Sequence, residues 1–258
     1  MSDLRDVEVA IKAAEAGAAV VRQKFGGALT RYDKSATDFA TEADLEAERA
    51  ILAVIQAERP DDAVIGEEYG ASGEAERTWL VDPLCGTLNF AAQNPLFSVN
   101  VALQSPTGDV AAVAQPLTGE IFWTDGTTVA VRKDGIDSPA APDATSRMVN
   151  VDIDAPPEGD FIGAQLLTDA KLREAFALRV CSTTLILAWV AIGRQAAYIT
   201  DGNLRDSVHF TAGTILCQAA GATVTDLRGN PLHTTSGLIA AAPETHPHLR
   251  TLVTPHLT

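Results

Sequence analysis

Trp79-Leu80-Val81-Asp82-Pro83-Leu84-Cys85-Gly86-Thr87-Leu88-Asn89-Phe90 is an apolar run that meets Asp-Pro and then a Gly-Thr turn. The run reads as a buried strand that stops at Asp82, and a strand ending in a carboxylate plants a rigidly held charge at a sheet edge, where ligands bind. Pro83 fixes its own φ and biases Asp82 toward extended backbone, while Gly86 lets the main chain come close to whatever Asp82 holds. Such geometry suits a metal ion or a phosphate better than a core.

Upstream, Ala63-Val64-Ile65 reads as a short buried strand running into Gly66-Glu67-Glu68, fifteen residues before Asp82. Two adjacent carboxylates directly after a strand and a glycine are by themselves a weak signal. Further back, Thr41 and Asp44 have capping-box spacing ahead of Leu45, Ile51, Leu52 and Ile55, which predicts a helix and makes Asp44 a first-turn carboxylate. Val7, Ala10, Ala14, Ala18, Val21 and Phe25 predict an amphipathic helix that ends at Gly26-Gly27. Downstream, residues 97–103, 110–113 and 121–123 predict an antiparallel meander with Phe122 and Trp123 in the core. Ser138 to Asp143 is the best linker candidate, Pro156 to Gly159 an exposed turn, and the boundary between two halves, 1–145 and 146–258, falls near 145. In the second half, 182–194 reads as a helix closed by glycine, 196–199 as a strand, and Asp206 as the cap of the following helix. A last strand at 237–241 precedes a short helix after Pro243, and His233, His246, His248 and His256 are expected at the surface.

The central segment resembles the Asp-Pro-Ile/Leu-Asp-Gly-Thr-x-Asn-Phe signature of the inositol monophosphatase family, except that Cys85 stands where that family has its second aspartate. Four more segments carry the likeness. These are Lys34 to Asp44, Gly66-Glu67-Glu68, Ser182 to Tyr198, and Asp206 to Asp226, the last with Val208-His209 at the family's Trp-Asp pair. The resemblance implies an α/β fold layered α-β-α-β-α, often a homodimer, that hydrolyses phosphomonoesters with magnesium. It implies further that Asp82 and Glu67 hold metal, with the Leu84 carbonyl, and that Thr87 and Asp44 position the attacking water. Gly86, Thr87 and Asp206 are the implied substrate contacts, Asp206 also lying near enough in sequence to swing toward the metal. Where the family commonly follows its Tyr with a substrate-contacting Glu, this chain has Thr200 and Asp201 after Tyr198 and Ile199.

Both ligands private to the family's second metal site are thus replaced, by Cys85 and His209. Magnesium selects oxygen, whereas thiolate and imidazole suit zinc or softer ions. Three readings follow. One magnesium site survives, and the protein is a slow or specialised phosphatase of a small sugar, inositol or nucleotide phosphate. Alternatively Cys85 and His209 lie within hydrogen-bond reach, as a nucleophilic pair with a depressed thiol pKa or, with Asp82, as an Asp/Cys/His zinc site. The third reading is a non-catalytic binding or regulatory protein on an enzyme fold.

Composition narrows the partners. The 258 residues can bury a large core; 46% are hydrophobic and 21% charged, ordinary for a globular chain. A net charge of −15 repels polyanions, so nucleic acid is not an expected partner. The acidic N-terminus lacks a basic start and apolar run, and no apolar stretch approaches the about 18 residues that span a bilayer, so a cytoplasmic protein without membrane contact is expected. Three widely spaced cysteines argue for reduced thiols, with Cys181 and Cys217 as small core residues.

Overall fold

The computed structural model describes residues 4–34, 39–154, 162–202, 204, 207–232 and 237–257. Helix α1 (Asp6–Lys24) buries Val7, Ala10, Ile11, Ala14 and Val21 along one face. Its acids (Asp6, Glu8) lie in the first turn and its bases (Arg22, Lys24) in the last, complementing the helix dipole. A ribbon of β1 (Arg31–Asp33) and β2 (Phe39–Thr41) leads into α2 (Glu42–Glu58), which starts on the expected Thr41–Asp44 capping box.

The next strands are β3 (Ala63–Gly66), β4 (Gly70–Ser72), β5 (Thr78–Cys85), β6 (Ser98–Gln104), β7 (Val110–Gln115), β8 (Glu120–Thr124), β9 (Val129–Lys133) and β10 (Ile136–Pro139). They form one sheet in the order β10-β9-β8-β7-β6-β5-β3-β4, with β3 and β5 parallel and the expected meander antiparallel. The short α3 (Thr87–Ala91) follows β5. The second sheet takes β11 (Met148–Val151), β12 (Ala177–Arg179), β13 (Ala197–Thr200), β14 (Thr223–Thr225) and β15 (Leu238–Ala241) in the order β12-β11-β13-β15-β14. Around it lie α4 (Gly163–Thr168), α5 (Ala170–Ala175), α6 (Leu185–Ala191), α7 (Val208–Ala219) and α8 (His246–Val253).

Strand periodicity builds the layers, because alternate side chains point to opposite faces and both faces are covered. Trp79, Val81, Val99 and Val101 face α1 and α2, while Leu80, Ala102, Val113 and Phe122 face α6 and α7. From the far side, Tyr198, Leu238 and Ala240 close on that same middle helical layer. The alternate residues Val149, Val151, Ile199 and Ile239 pack against Leu166, Leu172, Leu249 and Val253 in the outer helices. The result is the expected α-β-α-β-α stack. Among the described residues no helix is long and apolar enough to cross a membrane.

Several local readings are corrected. β5 does not stop at Asp82: it continues to Cys85 through a register shift between Asp82 and Cys85, since Pro83 has no N–H to give to β6. The expected linker begins as an edge strand, because Ser138 and Pro139 pair with β9. The helix expected over 182–194 is confined to Leu185–Ala191. Cys217 is buried but Cys181 is half-buried. His246 is buried and bonded to Thr225 Oγ1 at 2.9 Å, whereas His248 is exposed. The expectations for Pro156 to Gly159, Asp206 and His233 fall outside the described residues.

Candidate active site

The bulge at the end of β5 turns a strand into a site. Asp82 is fully buried there; its Oδ1 accepts from the Leu84 N–H at 3.1 Å and its Oδ2 meets His209 Nδ1 at 2.8 Å. The turn closes at Gly86, whose φ of 102° favours glycine and where a Cβ would press on the Leu96 carbonyl at 3.0 Å. Thr87 then opens α3 with Oγ1 3.0 Å from Asp44 Oδ1 and 3.1 Å from the Leu84 carbonyl. One hydroxyl proton serves one acceptor at a time, so Thr87 keeps lone pairs free to accept.

Asp44 holds two positions at once. Its Oδ2 takes the Thr41 N–H (2.7 Å) and hydroxyl (2.6 Å) as the helix cap, which leaves Oδ1 for Thr87. Burial pushes its pKa up to about 6, against the hydrogen bonds from Thr41 and Thr87. The cap reading and the site reading of Asp44 are therefore the same geometry.

From the end of β3, Glu67 enters the same space. A ligand atom from each of Glu67, Asp82 and His209 lies within 4.8 Å of the others. Lys34, to which sequence reading gave no role, bonds Glu67 Oε1 at 2.9 Å and Glu68 Oε1 at 2.6 Å. Burial and the charge of Asp82 raise the Glu67 pKa, with His209 and Lys34 working against them. Burial would lower the His209 pKa, but the charge and hydrogen bond of Asp82, followed by the charge of Glu67, lift it to about 9. Burial likewise opposes the Lys34 charge, and Glu67 and Glu68 outweigh it, so the ammonium is strengthened.

The expected Cys85–His209 contact does not form. Cys85 Sγ accepts from the Thr184 N–H at 3.2 Å and meets Thr184 Oγ1 at 2.8 Å. Thr184 Oγ1 in turn accepts from Asn100 Nδ2 at 2.8 Å, which leaves its own proton for the sulfur; the same Asn100 group reaches the His209 carbonyl at 3.2 Å. The thiol is thus one member of a buried network tying β5, β6 and the starts of α6 and α7 together. Burial and the charge of Asp82 push its pKa well above the usual range, contrary to a nucleophilic thiolate. The expected Asp82/Cys85/His209 zinc group is replaced by Glu67/Asp82/His209. Iodoacetamide should therefore label half-buried Cys181 well before Cys85 and Cys217, and mass-spectrometric mapping of the adducts checks the order; early labelling of Cys85 would restore the nucleophile reading.

The donor set fits one magnesium ion. Glu67 and Asp82 bring hard carboxylate oxygens to one place, as magnesium requires, and the Leu84 carbonyl follows two residues after Asp82 in the same bulge. A second magnesium ion at Cys85 and His209 does not fit, since one donor is a protonated thiol held by Thr184 and the other an imidazole bonded to Asp82. Gly86 and Thr87 border this space, and Asp206 lies outside the described residues. Thr184, Asn100 and Glu48, which complete the surroundings, carried no signal in the sequence because their partners lie far along the chain.

The sequence pattern of the inositol monophosphatase family matches residues 3–257. An inositol-1-monophosphatase of Caulobacter vibrioides is 31% identical over 261 residues, covering 93% of this chain and 97% of that protein. A Nus factor SuhB of Pasteurella multocida is 32% identical over 232 residues, covering 81% and 80%. Among solved structures, the suhB extragenic suppressor of Bartonella henselae superposes with a TM-score of 0.83 at 22% identity, covering 95% of this chain and 97% of that one. The inositol monophosphatase of Anabaena (Nostoc) sp. PCC 7120 gives 0.80 at 25%, covering 96% and 95%. With one family pattern spanning almost every residue, and with the layered fold to match it, this chain belongs to the inositol monophosphatase family.

Proposed function

We propose that the protein is a magnesium-dependent phosphatase of a small phosphorylated metabolite, working with one magnesium site rather than two and hydrolysing slowly. One observation carries this reading: the Asp44–Thr87 hydrogen bond at 3.0 Å stands beside the Glu67–Asp82 carboxylates, so a proton acceptor and a cation site share one space. Magnesium, when bound, supplies positive charge to the phosphoryl oxygens. Glu67, Asp82 and the Leu84 carbonyl would hold it. Thr87 donates to Asp44 and accepts from a water, orienting that water's lone pair toward phosphorus; Asp44 in its ionised form draws the proton along this path. His209, held by Asp82, offers an N–H where the family has a carboxylate, and so can donate toward an anionic substrate oxygen. The family likeness extends the reading to a cytoplasmic protein that pairs with a second copy.

The test is magnesium-dependent phosphate release from inositol and sugar monophosphates, expected below the roughly 10 per second of ordinary enzymes. Asp44 accepts a proton only when ionised, and its folded pKa is about 6, so the rate should drop about tenfold for each pH unit below that value. Release that survives chelation, or a rate flat between pH 7 and 5, would overturn the assignment. The buried Cys85–Thr184 network at the second ion's place favours one other reading, a binding protein on this fold, which predicts ligand binding without turnover.

A further inference from the structure

Helix α2 carries a second carboxylate one turn beyond Asp44. Glu48 is fully buried, and its two oxygens accept the N–H groups of Glu68 (2.8 Å, Oε2) and Tyr69 (3.0 Å, Oε1), the residues directly after Glu67. The carboxylate lies against Gly66: a Cβ built there would stand 1.9 Å from Glu48 Oε1 and 2.7 Å from its carboxyl carbon. Gly66 has an ordinary strand φ, so the missing side chain serves the close approach and not a left-handed turn. Residues 44 and 48 share one helix face, and each grips a different loop: Asp44 holds Thr87 after β5, and Glu48 holds the turn after β3.

We propose that Glu48 is a positioning residue: the Glu67 N–H is held by the Val81 carbonyl at 3.1 Å, and Glu48, by clamping the N–H groups of Glu68 and Tyr69 directly after it, sets where the Glu67 carboxylate stands relative to Asp82 and Thr87. The metal part of this inference rests on the reading that Glu67 holds magnesium; the clamp itself does not. The turn between β3 and β4 also meets α2 through the Tyr69 hydroxyl, which donates to the Leu45 carbonyl at 3.3 Å, but Glu48 is the side chain that takes two of its backbone N–H groups, and two charge-assisted hydrogen bonds from one rigid helix fix both its height and its rotation. With the clamp in place, Glu67 Oε2 sits 3.9 Å from His209 Nδ1, inside the ligand group.

Two variants separate the clamp from general damage. Glu48→Gln keeps the volume but puts an NH2 group against one of the two backbone donors. Gly66→Ala leaves the carboxylate intact and pushes it out of place through the new methyl group. Crystal structures of both without added metal are expected to show residues 67–69 displaced and Glu67 no longer beside His209. Calorimetric titration with magnesium chloride alone is expected to show about tenfold weaker binding in each, the scale of losing a group that orients a metal ligand. Because both substitutions break one contact, the double variant should bind no more weakly than the poorer single, whereas independent damage would add. A turn left in its wild-type place in both variants overturns the inference, and so does a displaced turn with unchanged magnesium affinity. A wild-type chain that binds no magnesium refutes the phosphatase reading instead, and the crystal structures then decide the clamp alone.

Discussion

Asp82→Asn is expected to remove measurable magnesium binding and to lower magnesium-dependent phosphate release by at least roughly a thousandfold, on the order of 4 kcal/mol in the barrier. Asp82 is fully buried, its Oδ1 holds the Leu84 N–H that shapes the bulge, and its Oδ2 holds His209. The amide keeps the shape and can still accept from Leu84, so the loss reports charge and not collapse. A second readout follows from the sign of the His209 shift. Burial lowers that pKa, and the charge and hydrogen bond of Asp82, with the charge of Glu67, overcome it to give about 9, so the imidazole in the variant should titrate well below 9. Phosphate release and the NMR titration of the ring measure the two effects. A folded variant within tenfold of wild type would mean that Asp82 is not a metal ligand.

Cys85→Asp combined with His209→Asp is expected to raise magnesium-dependent turnover on the order of a hundredfold, because a second ion would neutralise charge that one ion leaves exposed. The pocket is prepared for the first change: the Thr184 N–H and hydroxyl that now meet the sulfur would meet a carboxylate oxygen instead. Either single change should do little, since the other private ligand stays sulfur or imidazole and ligands acting as a unit are not additive. In metal-free protein the double variant should also be less stable above pH 7, having exchanged a cation at 209 for an anion beside Asp82 and Glu67. Calorimetry with magnesium and steady-state kinetics on the four proteins of the cycle check the claim. If the double variant folds, binds no further ion and hydrolyses no faster, the binding-protein reading gains over the phosphatase.

Much of this architecture was legible in the chain. The apolar run at 79–81, the alternation over 97–103, the capping box at Thr41–Asp44 and the Gly-Thr turn at 86–87 are local patterns, and local patterns survive folding because their causes lie within a few residues. The family signature added the stacking order of the layers and the list of carboxylates. It also drew attention to positions 85 and 209 as the two departures, which the chain shows without any coordinates.

What sequence alone determined, then, was the main helices and the meander and, through the family resemblance, the layered fold and the carboxylates to watch; the remaining elements, and what those groups do to one another, were decided by tertiary structure. Cys85 and His209 replace ligands of one ion, and proximity in a family pattern suggested a thiol–imidazole pair. In the folded protein the Asp82 carboxylate outcompetes the sulfur for the imidazole, since a charged acceptor makes the stronger bond, and Thr184, 99 residues away, takes the thiol. Glu48 was silent in the sequence and Lys34 marked only the start of a family-like segment, because each reaches residues 67–69 from a separate element. Hydrogen-bond partners and pKa values depend on distances of a few Å and on burial, and neither is a property of neighbours along the chain.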